Sequence, residues 1–201
     1  MSNITHTPQW DESELVSRLK DGQEEAYRVL VREYQNKLLS VAYGITLDRE
    51  DSAEIVQDVF LKVYQRIQTF KGESKLYTWL RRITVNQSLN WQRRWKRRFR
   101  WHHQPLEKED GYDSVNLNTG SDNPETDYLK SEMRQLLEQG LRTLPENART
   151  VFILKEIEGL SYSEIGKTLG IKTGTVSSRI FYARRKLKEN LSTLLKKETR
   201  R

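Results

Sequence analysis

The sequence predicts an all-α protein: two small helical domains joined by a flexible acidic linker, the second containing a helix-turn-helix. Three observations carry that prediction. Apolar residues recur at spacings of three and four along residues 11–101 and again along 128–195, the period of helices with one buried stripe. Between them, residues 102–127 hold seven acids against one lysine, with Pro105, Gly111, Gly120 and Pro124 and no periodicity, the composition of a linker. Beyond Gly159 a capping pattern, a short helix, a glycine and a second helix follow in close succession.

In order, residues 1–10 read as a leader. Leu15, Val16 and Leu19 mark a short amphipathic helix from Ser13 that stops near Asp21-Gly22, a glycine in the usual C-terminal place. A longer helix from about Gln23 buries Ala26, Tyr27, Leu30, Val31, Tyr34, Leu38, Val41 and Ala42 and ends between Gly44 and Asp48. From Asp51 the stripe is Ile55, Val56, Val59, Phe60, Val63, Tyr64 and Ile67, with Asp51, Glu54, Gln57, Asp58 and Lys62 on the other face. Acids at a helix start suit its dipole, so that face is either an ordinary solvated one or a docking surface.

The run Lys71-Gly72-Glu73-Ser74-Lys75 reads as an exposed loop. Leu76, Leu80 and Ile83 restart a buried stripe. Tyr77 and Trp79 leave it, to pack in the core or to offer rings on which unpaired bases stack. The helix ends in residues 91–101, where six of eleven are Lys or Arg and Trp91, Trp95 and Phe99 lie four apart. Uncompensated charge at that density repels itself unless a polyanion neutralises it, and phosphate backbone is the natural one; a solvated basic end is the alternative.

In the second domain Leu129, Met133, Leu136, Leu137 and Leu141 form one helical face, broken at Leu144-Pro145. Ala148, Val151, Phe152, Leu154, Lys155 and Ile157 build the next helix up to Gly159. Ser161-Tyr162-Ser163-Glu164 is a capping box. Ile165 and Leu169 face inward, Gly170 ends the helix, Ile171 plugs the turn, and Thr173 caps a helix whose inner face is Val176, Ile180, Ala183 and Leu187. Its outer face centres on Ser177, Ser178, Phe181, Tyr182 and Arg185, with Arg179 and Arg184 flanking, which suits a major groove or a plain solvated hairpin.

Composition bounds the rest. Lys plus Arg outnumber Asp plus Glu by 35 to 28, a net charge of +7 that favours an anionic partner, nucleic acid and membrane surface alike. With no cysteine there is no disulfide and no thiolate metal site, and His6, His102 and His103 lack metal-ligand spacing, so neither metal nor cofactor is expected. No run of 18 apolar residues exists, which argues against membrane insertion, and no basic-then-apolar leader opens the chain, so cytoplasm is the default.

Phe70-x-Gly72-Glu73-Ser74, then Thr78-Trp79-Leu80-x-x-Ile83-x-x-Asn86, preceded by Asp51-x-x-Glu54-x-x-Gln57-Asp58-x-Phe60, resembles the second conserved region of extracytoplasmic-function (ECF) bacterial sigma factors. Glu156, then Gly159-Leu160-Ser161-Tyr162-x-Glu164-Ile165-Gly166, and Gly174-Thr175-Val176-x-Ser178-Arg179-Ile180 resemble the fourth. The resemblance implies a protein without catalytic residues or small-molecule substrate, whose partners are core RNA polymerase, promoter DNA and an anti-sigma factor.

It further implies that Asp51, Glu54, Gln57, Asp58 and Leu61 dock on the largest polymerase subunit while outer helices of the second domain meet the other large subunit. Phe70, Lys71, Ser74, Tyr77, Trp79, Asn86 and Asn90 would hold the melted downstream promoter element, and Arg93, Arg94, Lys96, Arg97 and Arg98 its phosphates. Lys172, Thr173, Thr175, Ser177, Ser178, Arg179, Phe181 and Arg185 would read the upstream element as duplex. Ser177 and Tyr182 stand where many relatives are basic, Gly166 where alanine is usual and Leu76 where an aromatic is common, which leaves the promoter sequence open. Two other classes fit less well: a lone dimeric regulator lacks a heptad seam, and a recombinase would need a nucleophile amid clustered arginines or a carboxylate metal site.

Overall fold

The structure, a computed structural model, describes residues 10–99, 133 and 135–198, and the side chains of these except 98, 99 and 193–198. The expected linker, His6, His102, His103 and Leu129 lie outside the described residues. Among the described residues the regular secondary structure is helical throughout.

Helix α1 (Glu12–Lys20) is capped by Asp11, whose carboxylate accepts the Glu14 amide, and buries Leu15 and Leu19. Its own Glu12 accepts the amide of Leu76 at 2.9 Å, satisfying a donor at the start of a helix 64 residues away. Helix α2 (Glu24–Thr46) packs on α3 (Arg49–Arg66), which Asp48 caps through the Asp51 amide and which ends in a 3-10 turn, Ile67–Thr69. Helix α4 (Leu76–Phe99) closes the first core of Leu30, Leu38, Ile55, Val59, Leu76 and Leu80. Thr84 and Ser88 are also buried there, each hydroxyl donating to the carbonyl four residues back.

The second domain comprises α5 (135–142), α6 (Glu146–Phe152), α7 (Tyr162–Leu169) and α8 (Thr173–Glu198). Val176, Ile180, Ala183 and Leu187 are all buried, as their spacing predicts. Three details differ from the sequence expectation. Helix α6 runs into a π turn at Ile153–Ile157, in which the Glu158 amide bonds to the Ile153 carbonyl; the wider turn rotates Ile157 outward, to 53% exposure. Met133 is 66% exposed and not part of the buried face. Thr173 is the first residue of α8 and not its cap; the Lys172 carbonyl takes the amides of Thr175 and Val176.

The two helical groups touch. Val41 and Ile45 of α2 and Val85 of α4 share one cluster with Val151, Leu154, Leu160 and Ile165. The sequence, read as two tethered modules, offers no sign of this contact.

Candidate nucleic-acid interface

Along α4 the exposed positions Arg82, Asn86, Asn90, Arg93 and Arg97 follow at intervals of four, four, three and four, so they form a single stripe of amides and guanidinium groups. Arg93 donates to the Asn90 side chain at 3.2 Å and Arg97 to the Arg93 carbonyl at 3.4 Å, which holds the row extended along the helix. Arg82 belongs to this row although the sequence reading omitted it; its place one turn before Asn86 was the available signal. Arg94 is exposed beside the row, while Lys96 is paired with Glu146 at 2.9 Å. Trp95, 45% exposed, stacks on Trp91 at 6.4 Å. The Arg98 side chain lies outside the described residues.

At the head of α4, Lys71 and Ser74 are exposed on the loop, and Gly72 takes φ +74° there. Phe70 is buried and meets the half-buried Trp79 ring at 5.3 Å, so these two rings wall the loop from below. Tyr77 packs nearly parallel to Tyr34, centroids 6.2 Å apart, and its hydroxyl donates to Glu158 at 2.7 Å. Burial and that carboxylate push the Tyr77 phenol well above its ordinary range. A cleft of about 500 Å³ lies between this loop and α7.

The helix-turn-helix is built as its sequence suggests. The Ser161 amide donates to Glu164 at 2.8 Å and the Glu164 amide to the Ser161 hydroxyl at 3.2 Å. Hydrogen bonding from the Ser161 side chain, and next from its amide, holds the Glu164 carboxyl below its ordinary range. Gly170 ends α7 at φ +66°. A methyl group on Gly166 would lie 2.8 Å from the Ile171 carbonyl oxygen, so glycine lets the turn close tightly against α7.

From α8 and the turn before it, Lys172, Thr173, Ser177, Ser178, Phe181 and Arg185 stand exposed, Thr175 and Arg179 half so. Phe181 at 68% is the most open aromatic ring among the described residues of the domain. Arg184 is tied to Glu156 at 2.6 Å, and Arg185 pairs with Glu189 at 3.8 Å.

On α3, Glu54, Gln57 and Leu61 are exposed along one face, with Asp51 and Asp58 at its edge. Leu61 is 61% exposed and Tyr64, the next position of the same stripe, 64%. The sequence reading placed Tyr64 in the core; it meets only the rim, its ring 5.2 Å from Tyr27. Two large apolar side chains among carboxylates make a surface suited to a protein partner.

A helix-turn-helix beside a second, all-helical domain defines a class: helical proteins of transcription. Residues 30–98 match the family model for sigma-70 region 2 and residues 134–187 that for sigma-70 region 4. The chain is 36% identical over 186 residues to the ECF RNA polymerase sigma-E factor of Haemophilus influenzae, covering 90% of this chain and 95% of that protein. It is 34% identical over 188 residues to that of Escherichia coli strain K12, covering 91% and 95%. The chain belongs to the ECF RNA polymerase sigma factors, which are transcription initiation factors.

Solved structures agree on the fold. The sigma factor RpoE in complex with the anti-sigma factor NepR from Bartonella quintana superposes with a TM-score of 0.65 at 20% identity, covering 83% of this chain and 96% of that one. CnrH in complex with the cytosolic domain of CnrY does so at 0.59 and 21%, covering 90% and 97%.

Proposed function

We propose that this sigma factor binds core RNA polymerase through the α3 face, brings it to promoters by the exposed face of α8, and holds the melted strand along α4. The observation that carries the reading is the sorting of three chemistries onto three helices: acids with Leu61 and Tyr64 on α3, amides and arginines on α4, short polar side chains with Phe181 on α8. Asp51, Glu54, Gln57, Asp58 and Leu61 dock on the polymerase. Phe70, Lys71, Ser74, Trp79, Asn86 and Asn90 receive a base extruded from the downstream element, at a cost of a few kcal/mol that an amide pocket offsets for one base. Arg93, Arg94, Arg97 and Arg98 hold phosphates and add affinity without sequence information. Lys172, Thr173, Thr175, Ser177, Ser178, Arg179, Phe181 and Arg185 read the upstream element.

The factor acts by binding and not by catalysis, in the bacterial cytoplasm, and an anti-sigma protein is its regulator. The sigma factor RpoE, which shares this fold, was captured in complex with the anti-sigma factor NepR, which supports this reading. Mixing the chain with bacterial core polymerase and following co-elution on size exclusion tests the docking face. Co-elution that Leu61→Glu abolishes is the expected result; a chain that never co-elutes would refute the assignment.

A further inference from the structure

We propose that α1 is a strut that sets the conformation of the loop between Phe70 and Lys75, and that Glu12 and Gln68, at its two ends, are positioning residues for promoter opening. The role in opening rests on the reading above, in which this loop and Asn86 receive an extruded base; the strut itself does not.

Asp11, Asp48 and Ser161 each cap the helix that begins at the following residue. Helix α4 begins differently. The residue before it is Lys75, whose side chain has no acceptor, and its first turn carries no acid. Its start is capped by Glu12, which reaches across from the first turn of α1 to accept the Leu76 amide at 2.9 Å and supplies the negative charge that a helix start favours. A local cap would hold the start of α4 in any setting; a remote one holds it only against α1.

The other end of the loop is tied to the other end of the same helix. Gln68, in the 3-10 turn after α3, donates its side-chain amide to the Lys20 carbonyl at 2.5 Å. Glu12 is the first residue of α1 and Lys20 the last, so the two anchors lie about 12 Å apart along its axis. The chain from Thr69 to Lys75 could stretch over roughly 23 Å. It is therefore slack, and its path is set by the pinned ends and by Gly72, which bends it at φ +74°.

Helix α1 is firmly seated. Leu15 and Leu19 are buried in the first core, and the Tyr27 hydroxyl donates to the Leu19 carbonyl at 3.0 Å. Arg18 lies over the Trp10 ring at 4.4 Å while pairing with Glu14 at 2.8 Å. Lys71 and Ser74, exposed between the anchors, and the Phe70 and Trp79 rings beneath them thus stand in a frame that α1 fixes. A pocket that selects one base needs its groups held to within about half an ångström, which is why contacts outside the pocket bear on opening.

Glu12 and Gln68 are exposed, so replacing them leaves the buried core as it is. In the free chain, hydrogen exchange read by mass spectrometry is expected to quicken over residues 70–76 in Glu12→Ala. It should stay slow in Glu12→Gln, whose amide oxygen can still accept the Leu76 amide. Unaltered exchange in Glu12→Ala overturns the strut. The second arm uses holoenzyme on a promoter that the unchanged chain selects from a random library. Glu12→Ala and Gln68→Ala should each lower opening about fivefold by permanganate reactivity, while closed-complex binding in a mobility-shift assay holds. The two together should lose little more than one alone, because freeing either end slackens the loop. Preference for the selected base over its replacements in the downstream element should narrow in both and be retained by Glu12→Gln. A preference left unmoved, fully additive losses, or a Glu12→Gln that behaves as Glu12→Ala overturns the positioning role. Asn86→Ala in the same assay separates the two readings: if it opens the promoter as well as the unchanged chain does, the base-holding reading fails, and the exchange arm still decides the strut.

Discussion

Asn86 is exposed one turn from Arg82 and one from Asn90, with no packing task of its own, so its substitution isolates a role in binding. A hydrogen bond to a single base is worth about 1 to 2 kcal/mol, and Asn86→Ala is expected to lower promoter opening about tenfold while closed-complex binding holds. Permanganate reactivity beside a mobility-shift assay separates the two, and equal losses in both would remove the base-holding role. At Glu164 the folded carboxyl titrates below its ordinary value near 4.5, because the Ser161 side chain and then the Ser161 amide hydrogen-bond to it. Its stabilisation of α7 is thus present above that value and is lost as pH falls through the lowered one. Thermal unfolding of the chain should show this acid loss, and Glu164→Gln should flatten it; an unaltered acid limb would contradict the linkage. Single residues were legible where chemistry is local, as in the Ser161–Glu164 box. They were not where the partner is remote: nothing near Leu76 in sequence announces that Glu12 receives its amide.

Helices were legible as far as their period runs uninterrupted. The face of α8 follows from intervals of four, three and four, and the α4 row from the same rule. The π turn in α6 escaped because one extra residue per turn leaves no compositional mark, yet it is what turns Ile157 out and aims Glu158 at Tyr77. Tyr77 was read as leaving the buried stripe, to pack in the core or to offer its ring to a base; its ring packs against the first core on Tyr34 and its hydroxyl meets another domain. For α4, replacing Arg93, Arg94 and Arg97 by Gln should weaken holoenzyme binding evenly across promoters. With about 0.7 of a counterion per phosphate of a single strand, the salt slope should fall by about 2. An unchanged slope would take the phosphates away from this helix. On α3, Tyr64→Ala should lower affinity for core polymerase about tenfold or more, as for an aromatic at the centre of an interface. Its melting temperature should hold, because a ring 64% exposed carries little of the fold; a large loss of stability would instead make Tyr64 a core residue.

At the level of the whole molecule, a chain with 31% charged residues packs, among its described residues, three modest apolar clusters, two of them shared between the helical groups, and the all-α plan was readable from the periodicity on either side of residues 102–127. How the parts meet was not readable, since Val41, Ile45 and Val85 look like ordinary core positions until Val151, Leu154 and Leu160 are seen against them. The two DNA-handling faces proposed above, on separate domains, make sense only if a larger assembly spaces them along one promoter. Mapping RNA 5′ ends on a randomised promoter library transcribed by bacterial core polymerase, with and without this chain, tests that most directly. New start sites that share one upstream and one downstream element at a fixed spacing are predicted; starts identical to those of core polymerase alone would contradict the account.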